Sequence, residues 1–180
     1  MKHPRPCSRR LEIGNIGENG REERIVASDA ERAEIAAEYG LVALDALSAD
    51  LDIRRGDAGL ILLDGRIRAD VVQTCVVSLA PVPQKIDDTF HMSFAAAGSD
   101  AAPRAPRPGA ELLVDPEADE PDVLDGTTLD IGRIVAEQFS LALDPYPRAP
   151  GAALPAGLAP PDDAPKSPFA ALAALKTPKS

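Results

Sequence analysis

Four side chains of this sequence could ligate a metal or form a thiol–imidazole pair: His3, Cys7, Cys75 and His91. A zinc site needs three or four such groups converging. His3 and Cys7 have a spacing near the start of the chain but no cluster around them. Cys75 falls on the inward positions of an alternating segment, and His91 falls on the outward positions of the next one. The alternation therefore opposes a nucleophile–base pair, and Cys75 reads as a small buried hydrophobe. Asp87–Asp88 and Asp119–Glu120 are paired carboxylates, but acid–base work needs a cleft and shifted pKa values. They read as solvated charge. Gly14–Asn15–Ile16–Gly17, followed by Gly20, is a flexible turn without a lysine to reach a phosphate. The residues point to no catalytic group, no metal and no cofactor.

Arginine makes the best polar constellation. Arg66 and Arg68 stand on one strand face, about 7 Å apart by strand geometry. Arg54 and Arg55 lie near the end of a neighbouring strand, and Arg9 and Arg10 can approach from the N-terminus. Together they could meet two or three RNA phosphates or the acids of a partner. The alternative is a set of solvent-facing arginines offset by Asp64 and Asp70. No exposed aromatic repeat is present to stack bases, which disfavours an RNA-recognition-motif sheet or a cold-shock barrel.

These side chains need elements to position them. The helix over residues 30–39 has capping-box spacing at Ser28 and Glu31 and stops at Gly40. Its inward residues are Ala33, Ile35, Ala36 and Ala37. Short strands are expected at Leu11–Ile13 and Arg24–Val26, after a mobile start over residues 1–10. Leu47–Arg55 reads as a strand with Leu47, Ala49, Leu51 and Ile53 on one face. The next strand runs from near Leu60 to Cys75. Asp64–Gly65 could be a hairpin turn within it, but one long strand with a bulge or bend at the glycine is preferred. Leu79–Pro83 is a connection. Val82, Ile86, Phe90, Met92 and Phe94 then share one side of a further strand, with a bulge near Gln84 and Asp88.

Ala95–Arg107 reads as a loop, Glu111–Val114 as one more short strand, and Asp115–Asp125 as an acidic surface loop. Thr127 or Thr128 caps a second helix over residues 129–143. Its apolar face is Ile131, Ile134, Val135 and Ala142, with Phe139 and Leu141 flanking. Gln138 at the centre of that face needs a hydrogen-bond partner, either backbone at a sheet end or a ligand. The fold class is α+β: an antiparallel meander or small barrel-like sheet packed by two helices. Residues 8–146 form the single domain, 147–165 a Pro/Ala-rich linker, and 166–180 a short helical docking segment. Pro168 fits the first turn of that segment, and Phe169, Leu172, Leu175 and Lys176 follow at helical spacing. Alone in water such a helix is marginal, so it must fold back on the domain or dock on another molecule.

Composition bounds the function. The chain has 180 residues, 3% aromatics, no tryptophan and a formal net charge of -10. That suits one domain with a modest core and disfavours non-specific attraction to phosphate. Residues 111–130 hold eight acids and no Lys or Arg, whereas residues 1–28 hold six bases and four acids. Two cysteines fit a reduced, cytoplasmic protein better than a disulfide framework. No apolar run follows the N-terminal bases, and no stretch approaches the roughly 20 apolar residues of a membrane span.

Four stretches, in order, resemble the DUF177 (YceD) family. They are Ser8–Arg9–Arg10 through Glu38–Tyr39–Gly40–Leu41; Asp64–Gly65–Arg66 through Cys75 and Pro81 to Phe90 and Phe94; the acidic stretch into Leu129–Asp130–Ile131 and on to Pro147; and Ser167–Pro168–Phe169–Ala170 with Leu172, Leu175 and Lys176. The version here is most similar to that of alphaproteobacteria. The resemblance makes Gly65, Cys75, Pro81, Phe90 and Phe94 structural motif residues. Many relatives carry Cys-x-x-Cys where this chain has Cys75–Val76–Val77–Ser78, so a metal or redox role does not transfer. The resemblance implies a non-enzymatic role in accumulation of 23S ribosomal RNA and large-subunit biogenesis. Its partners would be the 23S precursor or a pre-50S particle, or a basic ribosomal protein such as bL32 held by an acidic chaperone or adaptor without RNA contact. Neither DNA nor a membrane is implied.

Overall fold

Strand β4 (Ile61–Thr74) runs through the middle of the molecule. Its residues Ile61, Leu63, Ile67, Ala69 and Val71 are buried, while Arg66 and Arg68 between them are exposed, as period-two alternation requires of a sheet covered on one side. Strands β3 (Ala43–Arg55) and β5 (Pro81–Ala96) flank it, both antiparallel. The structure, a computed structural model, describes residues 7–102 and 120–153. Strand β2 (Arg21–Val26) pairs antiparallel with β3, and β6 (Asp122–Leu124) runs parallel to the end of β5, giving the order β2–β3–β4–β5–β6. A separate antiparallel pair joins β1 (Arg10–Glu12) to β7 (Thr128–Asp130).

The expected barrel-like sheet is corrected by this topology. The two edge strands, β2 and β6, do not pair with each other, so the sheet is open. It is also mixed rather than a pure antiparallel meander, because β6 lies parallel to Phe94–Ala96. A three-residue strand added in parallel extends the sheet at one corner and offers no return path to β2. Strand β6 also falls inside the stretch expected to be an acidic loop.

Two helices cover the inner face. Helix α1 (Asp29–Glu38) begins with the capping box: Ser28 Oγ accepts from the Glu31 N–H, and the Glu31 carboxylate accepts from the Ser28 N–H. Gly40 follows it at φ 65, the left-handed conformation that ends helices. Only Ile35 is fully buried on α1; Ala33 and Ala37, expected inward, are exposed. The half-buried Arg32 takes part of their place, donating to the Ala27 and Leu44 carbonyls. Helix α2 (Ile131–Leu141) starts later than expected, because Thr128–Asp130 is a strand and Asp130 is the cap, accepting from the Arg133 N–H. Ile131, Ile134, Val135 and Phe139 are buried and Leu141 is exposed. Gln138 donates to the Met92 thioether at 3.5 Å rather than to backbone. Tyr39 joins the helices, its ring 6.3 Å from that of Phe139 and its hydroxyl donating to the Ala136 carbonyl.

The start of the described chain is packed. Cys7 is 3% exposed, Ser8 Oγ and the Arg9 N–H donate to Asp130, and the Ile131 N–H donates to the Arg9 carbonyl. Gly132 permits this crossing, since a Cβ there would stand 1.6 Å from the Cys7 carbonyl oxygen. Neither expected bulge occurs in β4 or β5: their register is continuous from Ile61↔Phe94 to Thr74↔Pro81. The irregularity lies instead in β3, between Leu44 and Ala46. Gly65 is needed for a different reason. A Cβ on it would lie 2.2 Å from Phe90 Cζ, so the glycine leaves room for the cross-strand ring. The strand expected at Glu111–Val114 and the terminal segment fall outside the described residues.

Candidate functional site

The outer face of the sheet carries the arginines, and alternation alone puts them there. Register then decides what faces them. Asp50 on β3 stands opposite Arg66, Ser48 opposite Arg68, and Asp87 on β5 opposite Arg68. Arg66 forks onto Asp87 with Nε and Nη2 at 2.6 Å from the two carboxylate oxygens. That pairing raises the arginine pKa and lowers that of Asp87. Arg68 reaches Asp50 at 2.8 Å, and Arg24 reaches the same carboxylate at 3.6 Å. Arg54 bonds Asp64 at 2.7 Å, and His91 Nδ1 lies 2.5 Å from the other Asp64 oxygen. The His91 hydrogen bond, helped by Arg54, holds the Asp64 carboxyl below its usual range. Lys85 pairs with Asp70 at 3.1 Å.

Three of the six candidate arginines thus share one face: Arg54, Arg66 and Arg68. The others do not join them. Arg55 donates to the Ile13 and Ile16 carbonyls and pins the turn after β1. Arg9 bonds Glu31 at 2.7 Å at the start of α1. This bond, with those from Ser28, draws the Glu31 carboxyl down to about 2. Arg10 pairs in register with Asp130 on the β1–β7 ribbon. For Asp130, burial raises the pKa, but the Ser8 hydroxyl and the Arg9 and Arg133 N–H groups outweigh it and the net direction is down.

A groove of about 910 Å³ crosses β2 to β5 at the level of Gly65. The sequence pattern did not single it out. Its lining holds five carboxylates (Glu22, Glu23, Asp50, Asp52 and Asp64) against two guanidiniums (Arg24 and Arg66), with His91 and Thr89 on the β5 side. The signal was available in part. Placing Leu51 and Ile53 inward sends Asp50 and Asp52 outward, but only the register brings Glu22 beside Asp52 and Asp64 beside His91.

Cys75 lies just beyond the far end of β4. Asp64, the register partner of His91, lies about 35 Å of extended strand away by the usual rise per residue. Cys75 and His91 are therefore not brought together. The Cys75 sulfur is fully buried and accepts N–H groups from Ala149 (3.3 Å), Ser78 (3.3 Å) and Val77 (3.4 Å). The Ala149 N–H first, then the Ser78 hydroxyl and the Ser78 and Val77 N–H groups, lower the thiol pKa to about 6 against the opposing effect of burial. The turn is closed by the Cys75 N–H on the Ala80 carbonyl and the Leu79 N–H on the Cys75 carbonyl, with Leu79 at φ 59. The donor from Ala149 is another feature that sequence reasoning missed, since it comes from a stretch expected to be linker. Among the described residues, no three His, Cys, Asp or Glu converge as a metal set; His3 lies outside them. Of the other motif residues, Phe94 is buried opposite Ile61 and Pro81 opens β5 opposite Thr74. Pro168, Phe169, Leu172, Leu175 and Lys176 lie outside the described residues. No described helix is long and apolar enough to cross a membrane.

The model of one protein family, described as large ribosomal RNA subunit accumulation protein YceD, matches residues 63–176. The match takes in β4, β5, α2 and the terminal segment, and leaves the opening stretch outside. No curated protein and no solved structure matches the chain.

Proposed function

The chain belongs to the YceD family, and from that membership we propose that it is a non-enzymatic factor in 23S ribosomal RNA accumulation that holds a basic ribosomal protein during large-subunit biogenesis. The family link is to large-subunit ribosomal RNA accumulation. The choice of a basic protein over RNA rests on the outer face: Arg54, Arg66 and Arg68 are each tied to a carboxylate. Binding phosphates there would break those pairs and bring a polyanion against unpaired acids. A lysine- or arginine-rich segment meets Glu22 and Asp52 in the groove, Asp52 being held only at 3.9 Å by Arg54, while Glu23, Asp50 and Asp64 are tied to Arg21, Arg68 and Arg54. With a net charge of -10, the whole chain also attracts a basic partner over distance.

The test is cross-linking of tagged protein on pre-50S particles and in the free pool. Cross-links from the Glu22–Asp52–Asp64 region to a basic ribosomal protein are expected. Capture of that protein should fall about tenfold or more in the Glu22→Lys/Asp52→Lys variant, because charge reversal at a steered interface costs both on-rate and complementarity. Cross-links from Arg54, Arg66 or Arg68 to 23S RNA, unaffected by that variant, overturn the reading.

A further inference from the structure

Of the seven large apolar side chains exposed among the described residues, Val42, Val76, Leu79, Leu141 and Tyr146 stand at one end of the molecule. The backbone brings them there. The Val42 N–H donates to Val72 at the end of β4, and the Val76 N–H donates to the Pro147 carbonyl. Leu141 ends α2, three residues before Asp144, whose carbonyl accepts from Gln73. Leu79 is 77% exposed and Tyr146 71%, although the turn and the strap beneath them are stitched together through the Cys75 sulfur. Large apolar side chains exposed together at one end of a fold mark an interaction site.

We propose that Phe169, Leu172 and Leu175 of the same chain dock on this end, over Val76, Leu79 and Tyr146. The described chain leaves from this end: Ala149 touches the Cys75 sulfur, and Ala153 is the last residue described. Residues 154–168 separate Ala153 from Phe169. Proline-rich chain of that length reaches about 50 Å at ~3.1 Å per residue, ample for a return to the patch. Such a tether sets an effective concentration on the order of millimolar, and a short apolar helix needs a surface to be stable. The net charges agree: residues 166–180 carry Lys166, Lys176 and Lys179 and no acid, while along the chain beside the patch residues Glu38, Asp45 and Asp144 are exposed against one exposed base, Arg148. The family match spans both halves of the contact, from β4 to residue 176. The proposal does not depend on the ribosomal reading.

The test is amide hydrogen exchange on the full chain and on two variants, Phe169→Ser/Leu172→Ser and Leu79→Ser. The first should speed exchange at residues 76–79 by about tenfold or more, the ratio a millimolar tether gives to a weak local contact. The second, at an exposed position that leaves the fold intact, should speed exchange at residues 169–175. Unchanged exchange at both places overturns the proposal. An effect that disappears on dilution also overturns it and assigns the patch to a second copy. Loss of particle retention in the first variant with no change at residues 76–79 overturns it in favour of an outside partner.

Discussion

The two ends of β4 handle polarity in opposite ways. Around Asp64 and Arg66, exposed side chains answer exposed side chains across three strands. At Cys75, a buried sulfur is answered by three backbone N–H groups from two separate stretches of chain. Ion pairs this exposed contribute little to stability, so the first end can break its pairs at little cost. Backbone donors cannot swing away, and leaving them unpaired and buried is costly. The second end is therefore structural, and its exposed surface is apolar. One strand thus carries exposed ion pairs at one end and a backbone-clamped sulfur at the other.

The comparison is sharpest at Cys75. Cys75→Ala strands three part-buried N–H groups and should lower the thermal midpoint by several degrees, measured by calorimetry; an unchanged midpoint would mean that the sulfur does not anchor this end. Gly65→Ala, at the other end, forces the Phe90 ring aside and should cost about 1–3 kcal/mol in urea unfolding. Because the obstruction is a side-chain tip, the fold should survive. The Cys75 thiol should titrate near 6 by thiolate absorbance. Its folded pKa lies below the ordinary value of 9.0. This contribution to stability is thus fully present above about pH 9 and is lost as pH falls towards 6. A wild-type stability that does not rise between pH 6 and 9 relative to Cys75→Ser contradicts it. The smallest effect belongs to Arg66→Gln, which should leave the thermal midpoint nearly unchanged; a clear fall would make the outer face a structural network and not an exchangeable one.

Much of the strand framework could be read from alternation. Leu47, Ala49, Leu51 and Ile53 are buried on β3 as expected, and β4 is one long strand through Gly65. The capping box at Ser28 and Glu31 formed as its spacing predicted. Alternation assigns a face but not a neighbour, so it placed Arg66 and Arg68 outward without showing that Asp87 and Asp50 would claim them. Composition misled at β6 and at residues 147–149, where acids and prolines suggested loop and linker. A short parallel strand and a strap over Cys75 formed because other backbone was there to pair with them.

By itself, the sequence determined where apolar periodicity changes, which faces are charged, and where α1 starts. Those properties are local: each depends on residues a few positions apart. Tertiary structure alone decided that the sheet stays open, that the arginines are neutralised, that Phe90 lies over Gly65, and that the Ala149 N–H reaches a thiol more than seventy residues earlier. These outcomes depend on strand register and chain crossing, which join residues distant in sequence and leave no periodic trace within either partner.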